Sequence, residues 1–165
     1  VSAVLYTTSC MAQDQDDIVQ LVASTNISAP LLVREQNVPF NFFTSTSKDL
    51  KLRPHPFQSK VKVEKSGFYQ IVADVFVGSD INGHNFTLTL HSKKSGTFPS
   101  VSSYRVPFSG EFLYLNKAEL RVYAKWLNKG ETLTLSITPS GPEMYYFPGY
   151  PSNITVTKVP KRQEQ

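Results

Sequence analysis

The side chains best suited to acid-base, nucleophilic or metal chemistry in this chain are three histidines, thirteen acids and one cysteine. His84 and His91 stand an odd number of residues apart in an alternating run, so on a strand they leave opposite faces and cannot share a metal directly. His55 is remote from both, and no His-x-x-x-His or His-Glu pairing sets two ligands on one helix face. Cys10 stands alone, which excludes a disulfide framework and a cysteine-based zinc site within one chain. Asp80 and Asn82 offer calcium-type oxygens in "DINGHNFTLTLH". Gly83 falls at the fourth position rather than the sixth, however, and His91 takes the twelfth in place of glutamate. The stretch reads as a turn, and a looser calcium site drawn from several loops stays open. There is no Gly-x-Ser-x-Gly elbow, and spacing brings no two acids together. The residues therefore predict no catalysis, no metal and no cofactor; only a carboxylate pair assembled from separate strands would escape a search by spacing.

Two other kinds of chemistry are written in the chain. Acceptor sequons occur at Asn26, Asn85 and Asn153, which predicts a secreted, glycosylated protein. The segment "PEMYYFPGYP" sets Tyr145, Tyr146 and Tyr150 among prolines, where an apolar ring with a polar tip suits sugar stacking or a protein hot spot. A lid that folds these rings over the end of the domain is the equal alternative. The net charge of +4 is modest. Lys60 and Lys62 alternate with Val61 and Val63, so a solvated strand face accounts for the basic stretch and no nucleic-acid partner is expected.

The elements that must position these groups are strands. From about residue 31 onward, β-branched and aromatic runs are punctuated by Gly, Pro, Asn and Ser, the pattern of a sandwich or barrel. Strands are predicted over 31–33, 40–43, 59–64, 68–77, 85–91, 101–106, 111–115, 120–126, 132–137 and 153–159. The best helical window, 16–24, is short. Asn82-Gly83 predicts a type I′ hairpin, because both central residues of that turn need positive φ, and Lys129-Gly130 a second tight turn. Strict alternation places Leu120, Val122, Ala124 and Trp126 inside, with Arg121, Tyr123 and Lys125 outside. "SGFYQIVADVFVG" is different, being apolar on both faces: Tyr69, Ile71, Ala73, Val75 and Val77 line one, and Phe68, Val72 and Phe76 share the other with Gln70 and Asp74. Something must cover the second face.

Three stretches resemble the jelly-roll domain shared by complement C1q globular heads and the tumour necrosis factor superfamily. "KSGFYQIVADVFV" looks like that family's Gly-x-Tyr strand, "FSGEFLYL" sits where a middle strand is expected, and "AELRVYAKWLNKGETLTLSI" resembles its strand, Lys-Gly-acid turn and strand. The final strand departs: "SNITVTKV" lacks the aromatic and glycine that commonly precede the family's last apolar pair. The resemblance implies an all-β, two-sheet antiparallel jelly-roll sandwich. It also implies a homotrimer in which Phe68, Val72 and Phe76 meet a neighbouring subunit, with Tyr123 near the axis. An amino-terminal arm folded over the sheet, residues 4–22, is the alternative cover.

The expected organisation is an arm or signal-peptide remnant over 1–30, a jelly-roll domain over 31–160 and a basic tail over 161–165. "VSAVLYTTSCMA" before "QDQDD" reads either as the tail of a secretory signal or as an ordinary strand. No run approaches the ~18 apolar residues that a membrane helix needs. The expected function is a secreted, trimeric, non-catalytic module that engages a protein receptor or extracellular glycan through loops and outer faces. A monomeric carbohydrate-binding sandwich, with Tyr145, Tyr146 and Tyr150 as ligand contacts, is the competing reading.

Overall fold

The computed structural model describes residues 19–53, 60–110 and 113–160, and among these it contains fifteen strands and no helix. β1 (Gln20–Thr25), β2 (Ala29–Pro30), β3 (Gln36–Asn37), β4 (Phe42–Ser45) and β5 (Leu50–Arg53) precede β6 (Lys60–Val63), β7 (Gly67–Ser79) and β8 (Phe86–Ser92). β9 (Gly96–Thr97), β10 (Val101–Ser102) and β11 (Tyr104–Val106) lead into β12 (Tyr114–Leu127), followed by β13 (Thr132–Pro139), β14 (Met144–Tyr146) and β15 (Ser152–Lys158).

The strands form two antiparallel sheets. One runs β11-β12-β7-β15-β1-β4, with β14 bridging β7 and β2; the other runs β10-β8-β13-β6-β5, with β3 against β13 and β9 against β8. Period-two alternation packs them together. Tyr69, Ile71, Ala73, Val75 and Val77 of β7 face Phe86, Leu88 and Leu90 of β8 and Leu133, Leu135 and Ile137 of β13 in one buried cluster. Tyr69 is completely buried, and its hydroxyl donates to the Lys65 carbonyl at 2.7 Å, so the core ring leaves no unmet donor.

Several expectations shift. The short helical window is strand β1, with Leu21 and Ala23 inside and Gln20, Val22 and Ser24 outside. Because β1 pairs with β15 and β4 within the sheet, the domain starts at Gln20 or earlier rather than at 31, and residues 20–22 do not lie over the sheet as an arm. Residues 4–18 of the proposed arm, the signal-remnant stretch, His55 and the basic tail lie outside the described residues. Residues 31–33 are not a strand; Leu31 is buried while Leu32 and Val33 are exposed. Where strands are predicted at 111–115 and 120–126, the described residues 114–127 form one strand, β12.

Asn82-Gly83 does not form a type I′ hairpin. β7 and β8 belong to different sheets, and only Gly83 takes positive φ, at 92°. With His84 N–H donating to Ile81 O at 3.5 Å, the turn follows the type II pattern, which needs positive φ at its third residue alone. Gly130, φ 93°, serves the β12-β13 turn in the same way, closed by Glu131 N–H to Asn128 O at 3.0 Å. Both glycines thus pass the chain from one sheet to the other.

Candidate functional site

The second face of β7 is the outward face of the first sheet, and it divides into three zones. At one end Phe68 and Trp126 meet edge to face, with ring centroids 5.0 Å apart, yet they are 50% and 45% exposed. Tyr123 beside them is 71% exposed and Val72 is half-buried. These are large apolar groups standing in water on one surface.

Trp126 reaches this face through a bulge. Val122 pairs with Ile71 and Lys125 with Tyr69, so Tyr123 and Ala124 together stand opposite Gln70 alone. Ala124 absorbs the extra residue in a left-handed conformation, φ 54°. Strict alternation had placed Trp126 in the core; the bulge exchanges the faces, bringing Trp126 out beside Phe68 and Lys125 to the inner side, its ammonium 5.9 Å from the Phe98 ring.

The middle zone is charged. Arg121 Nη2 lies 3.1 Å from Asp74 Oδ1 and 3.1 Å from Glu119 Oε2, while its Nη1 donates to the carbonyls of Ala73 at 3.3 Å and Leu120 at 3.2 Å. Tyr104 donates its hydroxyl to Glu119 Oε1 in a short hydrogen bond. That bond, with lesser help from Lys117 and Arg121, holds the Glu119 carboxyl below the usual range, and it also raises the Tyr104 phenol. The network fixes Asp74, which the apolar face would otherwise leave bare.

At the far end the chain covers the face itself. Phe76 packs 5.6 Å from Tyr150, which also meets Phe147 at 5.4 Å and Phe108 at 5.6 Å. Gly78 makes room, since a Cβ there would sit 2.9 Å from Phe147 Cε1. Of the four residues expected at an interface, Phe68 and Tyr123 are therefore open, while Val72 and Phe76 are half-buried within one chain.

The tyrosine segment is mostly strand and lid. Tyr146, 5% exposed, belongs to the core, where burial pushes its phenol up, so it cannot contact a ligand. Tyr145 pairs with β7 through its backbone and donates its hydroxyl to Asp80 Oδ1 at 3.0 Å. Burial, then that bond, push its pKa up to about 12. Tyr150 belongs to the ring cluster. Asn26 and Asn85 are exposed, but Asn153 sits half-buried on the outward face of β15, opposite Asp74 and Ser24.

One serine-histidine-acid cluster does form on the second sheet. Ser136 Oγ lies 3.0 Å from His91 Nε2 and donates to Glu35 Oε2 at 3.2 Å. Its geometry is not that of a nucleophile with its base. Ser136 is buried, Glu35 approaches the same histidine nitrogen as the serine, and His91 Nδ1 meets Thr97 Oγ1 at 3.1 Å where a triad has its carboxylate. Among the described residues, no group of three His, Cys, Asp or Glu side chains is placed to hold a metal ion.

Neither a protein-family model nor a curated protein sequence matches the chain. Solved structures do. The fold is similar to that of murine APRIL, with a TM-score of 0.58 at 10% identity over 87% of this chain and all 100% of that one. It is similar as well to the globular domain of zebrafish complement 1qA protein, with a TM-score of 0.55 at 13% identity, covering 88% and 100% of the two chains. Eiger TNF from S. frugiperda matches with a TM-score of 0.52 at 12% identity, covering 89% and 96%. The chain has the all-β, two-sheet jelly-roll fold of the C1q and TNF type.

Proposed function

We propose that the chain is a secreted, non-catalytic binding module that assembles as a homotrimer through the outward face of the β12-β7-β15 sheet. In this reading it engages a protein receptor or an extracellular glycan through its loops and remaining outer surfaces. The observation that carries the assembly is the exposed Phe68–Trp126 pair, with Tyr123 and Val72 beside it. Contiguous apolar surface of this kind is a property of interfaces, and closed symmetry is the usual form of self-association. The three sequons support secretion, and no helix of the described residues is long and apolar enough to cross a membrane.

Light scattering at micromolar concentration tests the proposal. The expected mass is three times the 18.5 kDa of one chain. Val72→Asp should give the monomer mass with an unchanged circular dichroism spectrum, because a carboxylate there keeps part of its water in the monomer and loses the rest on assembly. A monomeric native chain at that concentration would sink the trimer.

A further inference from the structure

A second site lies where the β7-β8 turn meets β11 and β12. The cleft there has a volume of about 210 Å³, and Asn82, His84, Ser103, Arg105, Tyr114 and Asn116 line it, with Asn85 at its edge. Arg105 and Asn116 are direct cross-strand partners of β11 and β12, so their side chains leave the same face; Tyr114, two residues before Asn116, shares it.

Arg105 is held from two sides. Its guanidinium lies over the Tyr114 ring at 4.3 Å and its Nη1 donates to Asn82 Oδ1 at 2.9 Å. Among the described residues it has no carboxylate partner, unlike Arg121. Asn116 at the base is 5% exposed, and its carboxamide keeps contact with solvent in the cleft rather than being sealed off without a partner. A side-chain amide that opens onto the cleft is free to exchange its water for a ligand's hydroxyl. The walls are set as well: Ser103 Oγ accepts from Phe86 N–H at 2.9 Å. His84 Nδ1 donates to Pro142 O at 3.2 Å, its ring lying where a Cβ on Gly141 would be 2.5 Å from Cε1.

We infer that this cleft binds a small hydroxylated carboxylate of single-sugar size, a terminal uronic acid unit being the type. The carboxylate pairs with the pre-set Arg105 edge, and a ring hydroxyl both gives to and takes from the Asn116 carboxamide. The size argues for one unit, since sites for drug-sized ligands run from about 300 to 1,000 Å³. The Asn82, Ser103, Arg105 and Asn116 side chains bring polar groups to meet a hydroxylated guest. The site does not depend on assembly, since its residues all come from one chain. A glycan on Asn85 would stand over the cleft, so the test uses chain made without glycosylation.

The experiment is a titration of the whole chain with D-glucuronate, followed by backbone amide NMR, with D-glucose and acetate as parallel arms. Glucuronate should give saturable shifts at Arg105, Asn116 and the Asn82–Asn85 turn, with glucose and acetate about tenfold weaker or more. Arg105→Leu, an exposed change that leaves the core alone, should weaken glucuronate by at least about tenfold. Asn116→Leu should weaken glucuronate by at least about tenfold as well, because it removes the amide that meets the ring hydroxyl. The inference is overturned by absence of saturable shifts, by glucose or acetate binding as well as glucuronate, or by Arg105→Leu binding like the native chain.

Discussion

Phe68 and Tyr69 are neighbours in β7 with opposite fates: Tyr69 is sealed in the core, while Phe68 stands half in water against Trp126. Alternation along the strand is the whole cause. The pair separates folding from assembly. Phe68→Ser should abolish self-association in sedimentation velocity while costing about 1 to 3 kcal/mol of monomer stability, the aromatic-pair term plus the burial of half a Phe side chain. Tyr69→Ala should cost about 3 to 5 kcal/mol, the range for emptying a large aromatic site in a core. Denaturant melts of the two variants distinguish these outcomes; equal losses would contradict the two-faced reading of β7.

Asn153 makes the two sequence signals compete. Its sequon is complete, yet its side chain lies on the sheet face proposed for assembly, beside the Asp74 position and among Thr155 and Ser24. A glycan there and a neighbouring subunit cannot occupy the same surface. In chain secreted from a glycosylating host, glycopeptide mass spectrometry should find Asn26 occupied and Asn153 bare in the trimer fraction. Any monomer fraction should carry the Asn153 glycan. Occupied Asn153 within a trimer would place the interface elsewhere.

Alkaline titration reads the buried phenols. Burial pushes Tyr69 up to about 12, and burial followed by the Asp80 bond pushes Tyr145 to the same value. The folded pKa is raised above the ordinary value of 10.0, so the unfolded chain releases these protons first as pH rises. The stabilising contribution is therefore complete below pH 10 and is lost as pH climbs towards 12. Phenolate absorbance from Tyr69 should rise late, that phase coinciding with loss of circular dichroism. Asp80→Asn should bring forward only the Tyr145 fraction.

Much of this was legible in the sequence because β7, β8 and β13 are long enough for their period to speak and because Gly83 and Gly130 mark turns, although Asn82-Gly83 reads as a hairpin where the chain in fact crosses between sheets. β1 was misread because three apolar residues in so short a window satisfy a helical period as easily as a strand's. β2, β3 and β9 have two residues each and no period to detect. The open end of the outward face was half visible: Phe68, Val72 and Tyr123 follow from alternation, but Trp126 needs the bulge. The cleft was not visible at all. Asn116 has the inward parity of Ala118 and Leu120, and only the β11-β12 register sets Arg105 across from it.

The bulge itself gives the last test. Ala124 holds φ 54°, where an L-residue costs roughly 1 to 2 kcal/mol and glycine has no such penalty. Ala124→Gly recovers that strain but loosens the unfolded chain by about 0.4 to 1 kcal/mol, so the net gain should lie between about 0 and 1.6 kcal/mol, close to 1 kcal/mol at its middle. For a domain of this length that corresponds to a rise in melting temperature of roughly 2 to 4 °C. Ala124→Val should do the reverse, since a β-branched side chain is excluded from that region. Deleting Ala124 is the sharper variant. The ladder would then run Tyr123 to Gln70, Lys125 to Tyr69 and Trp126 to Phe68 without a break, preserving the Phe68–Trp126 contact and the assembly built on it. If the deletion unfolds the chain or dissolves the oligomer, the bulge contributes more than register, and the shape it imposes on Tyr123 becomes part of the interface.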